Sequence, residues 1–321
     1  MKFLKPVLKI AASLILITIV VHAFDVRGIT THFEKVDVAT LLLAVSVALS
    51  IALMHTARWL AVIAAGGYRL GFRTALQIVL IGHFFNQVLP SSVGGDAVRA
   101  WCAYRAGLSL GAAAGTVIID RAVALFALLL LVAAGLPWLF EIVADPVARW
   151  TLSTVIFIGL AGFGVFLALS GLPRFLARWR AVRVLLDLAA LARKVMSAPR
   201  HALPVILFSV LGFVGAAFIV FCLARAMQLD VTLKDCVLLV PPVVLITVVP
   251  VSIAGWGLRE GAMVVAFGFI QVPASAAFAL SVLFGLTFAI VSLPGSLLWL
   301  MSGYSVKNVA DETATDGRDS T

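Results

Sequence analysis

Six charged residues stand inside long apolar stretches of this 321-residue chain: Asp96, Arg99, Asp120, Arg121, Arg259 and Glu260. An arginine in such surroundings presents a planar fork of donors that matches a carboxylate or a phosphate, and a carboxylate accepts from it. On insertion scales such groups cost roughly 2.5–3.5 kcal/mol each at mid-membrane, so they face the protein interior or a watered path. Two chemistries are open to them. They can bind an anionic ligand, or they can form a buried ion-pair network that only holds helices together. Asp120 and Arg121 are neighbours on one helix and point about 100° apart, so they are expected to find different partners. Asp120 can balance Arg99 or Arg259, and Arg121 can meet a phosphate.

The charges sit in a repeated motif. The segment from Leu89 to Arg99 aligns without a gap on that from Val249 to Arg259, and Pro90/Pro250, Ser92/Ser252, Gly95/Gly255 and Arg99/Arg259 coincide at an offset of 160 residues. Non-helical backbone at membrane depth leaves polar groups without partners, so such turns survive only within protein or beside a wet cavity. Short helices starting near Gly94 and Gly255 would aim free amides and a positive dipole end at that cavity, which suits an anion. Gly94, Gly95, Gly255 and Gly257 allow close backbone approach, and Ser91, Ser92 and Ser252 supply hydroxyl donors. Asn86, one turn before Pro90, can line the same cavity or satisfy freed backbone groups; His83 is a weaker candidate of the same kind. The plainer alternative is that the glycines ease helix packing alone.

The elements that must position these residues are membrane helices. Hydrophobic residues make up 63% of the chain and charged residues 12%, with a mean hydropathy of +1.14; a soluble domain carries about twice that charged fraction. The apolar blocks run to about 20 residues, the length of a crossing helix, and show none of the short alternation of an outer-membrane barrel. Full spans are expected near 7–24, 38–58, 112–137, 150–170, 203–225 and 276–300. The stretches 75–90 and 236–250 are shorter, end at a proline, and run into second short helices at 94–105 and 256–270. Each pair reads as a re-entrant hairpin. The expected fold is therefore an all-α integral membrane protein with about six full transmembrane helices and two re-entrant helical hairpins in an inverted-topology repeat. Residues 1–305 form one helical membrane domain with halves at approximately 38–137 and 203–300, and 306–321 form a polar cytoplasmic tail. Residues 1–24 also resemble a signal peptide, but the apolar run is long enough to remain as a first span.

Charge asymmetry sets the orientation. The 171–202 loop holds Arg174, Arg178, Arg180, Arg183, Arg193, Lys194 and Arg200 against one acid, Asp187. The segments 25–37, 138–149 and 226–235 hold Arg27, Lys35, Arg149 and Lys234 against seven acids. Basic loops stay cytoplasmic, which places both termini inside. The net charge of +9 thus reads as topology and an affinity for anionic headgroups, not as a nucleic-acid footprint. Arg58, with Trp59 and His55, is expected at the cytoplasmic end of the second span, its side chain snorkelling to headgroups. Cys102, Cys222 and Cys236 show no CxxC spacing, so neither metal nor cofactor is expected. No hydrolase, P-loop, zincin or dinucleotide signature is present, which argues against an enzyme.

The pattern of Asn86, Leu89-Pro90, Gly94-Gly95-Asp96, Arg99, Asp120-Arg121 and then Pro250, Ser252, Gly255, Gly257, Arg259-Glu260 resembles the lysylphosphatidylglycerol synthase transmembrane-region family of flippase-like membrane proteins. The resemblance covers nearly the whole chain. It implies residence in a bacterial or archaeal inner membrane and a role in moving or handling lipids or lipid-linked intermediates. In the synthases this region precedes a soluble aminoacyl-transferase domain; the sequence stops about twenty residues after its last expected span, so aminoacyl transfer does not carry over. The leading expectation is translocation of an anionic or phosphate-bearing lipid, with membrane lipids as partners. The alternative is an accessory or scaffold subunit for a lipid-modifying or glycosyl-transferring enzyme, docked by its basic loop. An intramembrane enzyme acting on polyprenyl phosphates is a third reading, disfavoured because no acid–base pair stands poised.

Overall fold

The computed structural model describes residues 36–89, 94–171, 179–248 and 256–302. Ten helices fill these segments, and no strand occurs among the described residues. They are α1 (Val38–Ala65), α2 (Phe72–Val88), α3 (Gly94–Arg105), α4 (Leu110–Ile142), α5 (Pro146–Leu169), α6 (Arg180–Ser197), α7 (Pro199–Ala226), α8 (Leu233–Thr247), α9 (Leu258–Gly268) and α10 (Ala274–Met301). Helices α1, α4, α5, α7 and α10 are long and apolar enough to cross a membrane. The first expected span, 7–24, lies outside the described residues, as do the turn residues 90–93 and 249–255.

Local chemistry explains where these helices begin. The Asp37 side chain accepts from the Thr40 amide (3.1 Å), Ser109 from Ala112 (3.3 Å) and Asp145 from Val147 (2.9 Å). Each satisfies an orphan donor of a first turn. Thr232 and Asp235 form a reciprocal capping box at α8. The short helices α2, α3, α8 and α9, of 17, 12, 15 and 11 residues, reach only about 26, 18, 22 and 17 Å at 1.5 Å per residue. All fall short of the roughly 30 Å hydrocarbon layer.

Several expected boundaries move. Helix α1 continues through the apolar run Trp59–Ala65, because Arg58 finds a buried partner and so does not end it. Helix α4 runs through Pro137 to Ile142. Within the expected 171–202 loop, residues 180–197 form the amphipathic helix α6, which buries Ala189, Ala192 and Val195. Helix α9 starts at Leu258, later than expected, because Gly257 sits at φ +86° in the left-handed region, where a helix cannot continue.

Packing uses small residues. Helix α1 lies along α7, where Gly215 meets Ile51 and Val47. A Cβ at Gly295 of α10 would fall 2.1 Å from the Leu80 carbonyl oxygen of α2. One at Gly95 of α3 would fall 2.2 Å from the Gly82 carbonyl oxygen. Helix α2 thus touches both neighbours backbone to backbone, as membrane interfaces favour. Helix α10 packs against both α2 and α9 and joins the two pairs of short helices. By contrast α5 buries only Ile156 and exposes Trp150, Phe157 and Ile158, the expected face toward lipid.

Candidate functional site: an arginine-lined intramembrane cavity

A cavity of about 310 Å³ opens between the helices. Its charged lining is Arg58 of α1, Arg99 of α3, Arg121 of α4 and Arg259 of α9, with His55 of α1 and His83, Asn86 and Gln87 of α2. Among the described residues, no carboxylate lines it. The remaining wall is almost wholly apolar, from α1, α7, α8, α9 and α10; along α1 the lining passes from Ala48, Ile51 and Ala52 to His55 and Arg58.

The carboxylates hold the arginines from behind. Asp120, fully buried, accepts two bonds from Arg58, Nε to Oδ1 at 2.8 Å and Nη2 to Oδ2 at 3.2 Å, and a third from Arg99 Nη2 at 2.9 Å. Arg58 Nη1 also reaches Ser209 Oγ at 3.4 Å. Arg121 donates Nε and Nη2 to Asp96 at 2.8 and 3.0 Å, yet its side chain stays 52% exposed. Arg259 Nη2 meets Glu260 Oε1 at 2.7 Å, and Ser281 Oγ donates to the same oxygen at 3.1 Å. Arg99 lies over the Trp59 ring at 4.2 Å and Arg259 over that of Trp256 at 4.7 Å, cation–π contacts that help hold a desolvated guanidinium. The Nε of Arg99 is buried and has no hydrogen-bond partner among the described residues.

Four guanidiniums against three carboxylates leave one positive charge. The cluster is mostly neutralised when empty, so it is tolerable in a low-dielectric interior, while the face toward the cavity stays cationic. Guanidinium donors on such a face have the geometry to pair with a carboxylate or a tetrahedral oxyanion.

Sequence reasoning placed the arginines but not all their roles. Asn86, Arg99, Arg121 and Arg259 line the cavity; Asp96, Asp120 and Glu260 do not line it but pair with the arginines. Asp120 and Arg121 take different partners, as their angular offset requires. Asp120 meets Arg99 but not Arg259, which is held by its own neighbour Glu260. Arg58 does not snorkel: it is 4% exposed and shares Asp120 with Arg99. Of the helix-start amides, Gly95 N–H donates to Asn86 Oδ1 at 3.1 Å, and Gly257 N–H donates to Glu260, so these two are already taken. Gly94 also packs against Leu89 and Gly95 against α2. Ser91, Ser92, Ser252 and Gly255 lie outside the described residues.

Sequence reasoning missed Ser209, Ser281 and Gly285. A Cβ at Gly285 would fall 2.1 Å from Arg259 Nη2, so this glycine makes the room that the guanidinium occupies. Nothing in the sequence marks it among the small residues of α10. For Arg58 a signal was present: the apolar run resumes directly after it.

The family model described as "Lysylphosphatidylglycerol synthase TM region" matches residues 7–295. The chain belongs to this family. The match takes in all four cavity arginines and their three carboxylate partners. No curated protein matches the chain, so the family membership fixes a helical, multi-pass membrane protein, and the cavity carries the functional reading.

Proposed function

We propose that this protein moves a lipid with an anionic, phosphate-bearing headgroup across the inner membrane, without catalysing a chemical change. The observation that carries this reading is the division of the cavity lining: arginines without carboxylates over one part, and apolar side chains over the rest. A lipid is amphipathic in the same way. Its phosphate would exchange with Asp96 for the half-exposed Arg121 and approach the cavity faces of Arg99 and Arg259, while its chains lie on the apolar wall. Because each arginine is already paired, ligand entry must rearrange at least one pair, and this ties binding to conformational change.

In this reading α2–α3 and α8–α9 are the two re-entrant hairpins of an inverted repeat. Both contribute arginines and wall to one cavity, the arrangement of transporters whose site lies between their repeats. Rocking one hairpin unit against the other would expose the cavity alternately, with both termini and α6 on the cytoplasmic side. Purified protein in liposomes tests the proposal through transfer of a fluorescent phosphatidylglycerol, read by quenching of the outer leaflet. Transfer unaided by any second protein is expected. A rate equal to that of protein-free liposomes refutes the proposal.

A further inference from the structure

Two imidazoles in the cavity wall are unused by the proposed function. His55 of α1 and His83 of α2 both line the cavity, and their ring centroids lie 5.6 Å apart, edge to face. The cations around them are Arg58, one turn on from His55, with Arg99 and Arg121 across the cavity from α3 and α4; Arg259 of α9 completes the lining. The acids are Asp120, shared by Arg58 and Arg99, Asp96, held by Arg121, and Glu260, held by Arg259, so four guanidiniums face three carboxylates. From α7 the neighbour of His55 is the bare backbone of Gly212, from α8 the cavity receives only valines and Thr247, and α10 carries no ionisable side chain.

In the empty cavity this neighbourhood already has a positive excess, so a proton on either ring adds like charge to like charge at low dielectric. A bound oxyanion reverses that sign. We propose that His55 and His83 form a proton site linked to the anion site: entry of a phosphate-bearing headgroup draws one proton from solvent onto this imidazole pair. The bond formed is N–H on one ring, and the bond broken is that of the donor in solvent, a hydronium ion or a protonated buffer molecule, which is left as water or as the buffer base. Because linkage is reciprocal, a proton on the pair strengthens anion binding, and a pH difference across the membrane then biases the direction of transfer. This inference rests on the anion reading above.

Calorimetry on the full chain in detergent tests it. The probe is dihexanoyl phosphatidylglycerol, whose phosphodiester keeps a single charge from pH 5 to 8, measured in buffers of different ionisation enthalpy. Net uptake approaching one proton per lipid is expected, with affinity rising as pH falls, by up to about tenfold per pH unit. In the double variant His55→Gln/His83→Gln the uptake is expected to vanish and the pH dependence to flatten. Sulfate, also of fixed charge, separates the sources. Uptake with sulfate assigns the coupling to the oxyanion alone; uptake with the lipid only assigns it to a headgroup seated by its chains. Lipid binding without proton uptake in the unaltered protein overturns this inference and leaves the anion reading standing, as does undiminished uptake in the double variant. No binding at any pH overturns both.

Discussion

Gly285→Ala separates the work of the cavity from the work of the fold. A Cβ there would stand 2.1 Å from Arg259 Nη2, 2.7 Å from Cζ and 2.9 Å from Nη1, about 1.4 Å closer than an ordinary contact allows. The obstacle is the end of a long, flexible side chain bordering open space, so the backbone need not move. The guanidinium swings instead, and the 2.7 Å bond to Glu260 lengthens beyond hydrogen-bond range. Loss of this Nη2 bond costs about 1.5–3 kcal/mol; Arg259 Nε can still reach Glu260 Oε1 and Ser281, now at 3.1 and 3.3 Å, and Glu260 keeps Ser281 and the Gly257 amide. The variant is therefore expected to fold and to unfold at a moderately lower temperature, but to lose most phosphatidylglycerol binding through misplacement of Arg259. Gly295→Ala is the control. Its Cβ would meet the Leu80 carbonyl oxygen at 2.1 Å and carbon at 2.6 Å, which only separation of α2 from α10 relieves, so this protein is expected to fail in folding. Thermal unfolding in detergent beside lipid-binding calorimetry reads both. If Gly285→Ala binds lipid like the unaltered protein, or unfolds as badly as Gly295→Ala, the account of Arg259 is wrong.

Asp120→Asn removes the one acid shared by Arg58 and Arg99 and is expected to cost about 3–5 kcal/mol, measured by denaturation in detergent. Asp96→Asn is expected to cost less than Asp120→Asn, because the side chain of its main partner Arg121 is 52% exposed, whereas Asp120 and both its arginines are buried. Arg121→Lys and Arg259→Lys keep the charge but lose the fork; both are expected to insert normally and lose most lipid transfer, whereas Arg174→Lys should leave transfer unchanged. Cysteines placed in α6 are expected to react with an impermeant reagent only after cells are permeabilised; labelling of intact cells would contradict the proposed orientation.

Much of the helix order was legible because a bilayer imposes a length on apolar runs. The α3 boundaries match the expected 94–105, and every other described helix was expected within a few residues at one end or both, save α6, expected as part of an amphipathic loop. Errors clustered where tertiary partners override local signals. Arg58 looked like the end of a span because a charge interrupts an apolar run; Asp120, 62 residues away, removes the reason to end there. The late start of α9 follows from one glycine dihedral. The site was half legible. Intramembrane charges identify themselves by cost, but which acid serves which arginine depends on helix rotation, and Gly285 matters only because a guanidinium from another helix fills its space.

The central claim is that the arginine-lined cavity holds a lipid phosphate. The most direct measurement is an experimental structure of the protein in phosphatidylglycerol nanodiscs. The account predicts phosphate density within hydrogen-bond distance of Arg121 and of Arg99 or Arg259, with acyl density along the apolar wall. Lipid confined to the outer surface, with Arg121 still bound in bidentate fashion to Asp96 and the cavity free of phosphate, would contradict it.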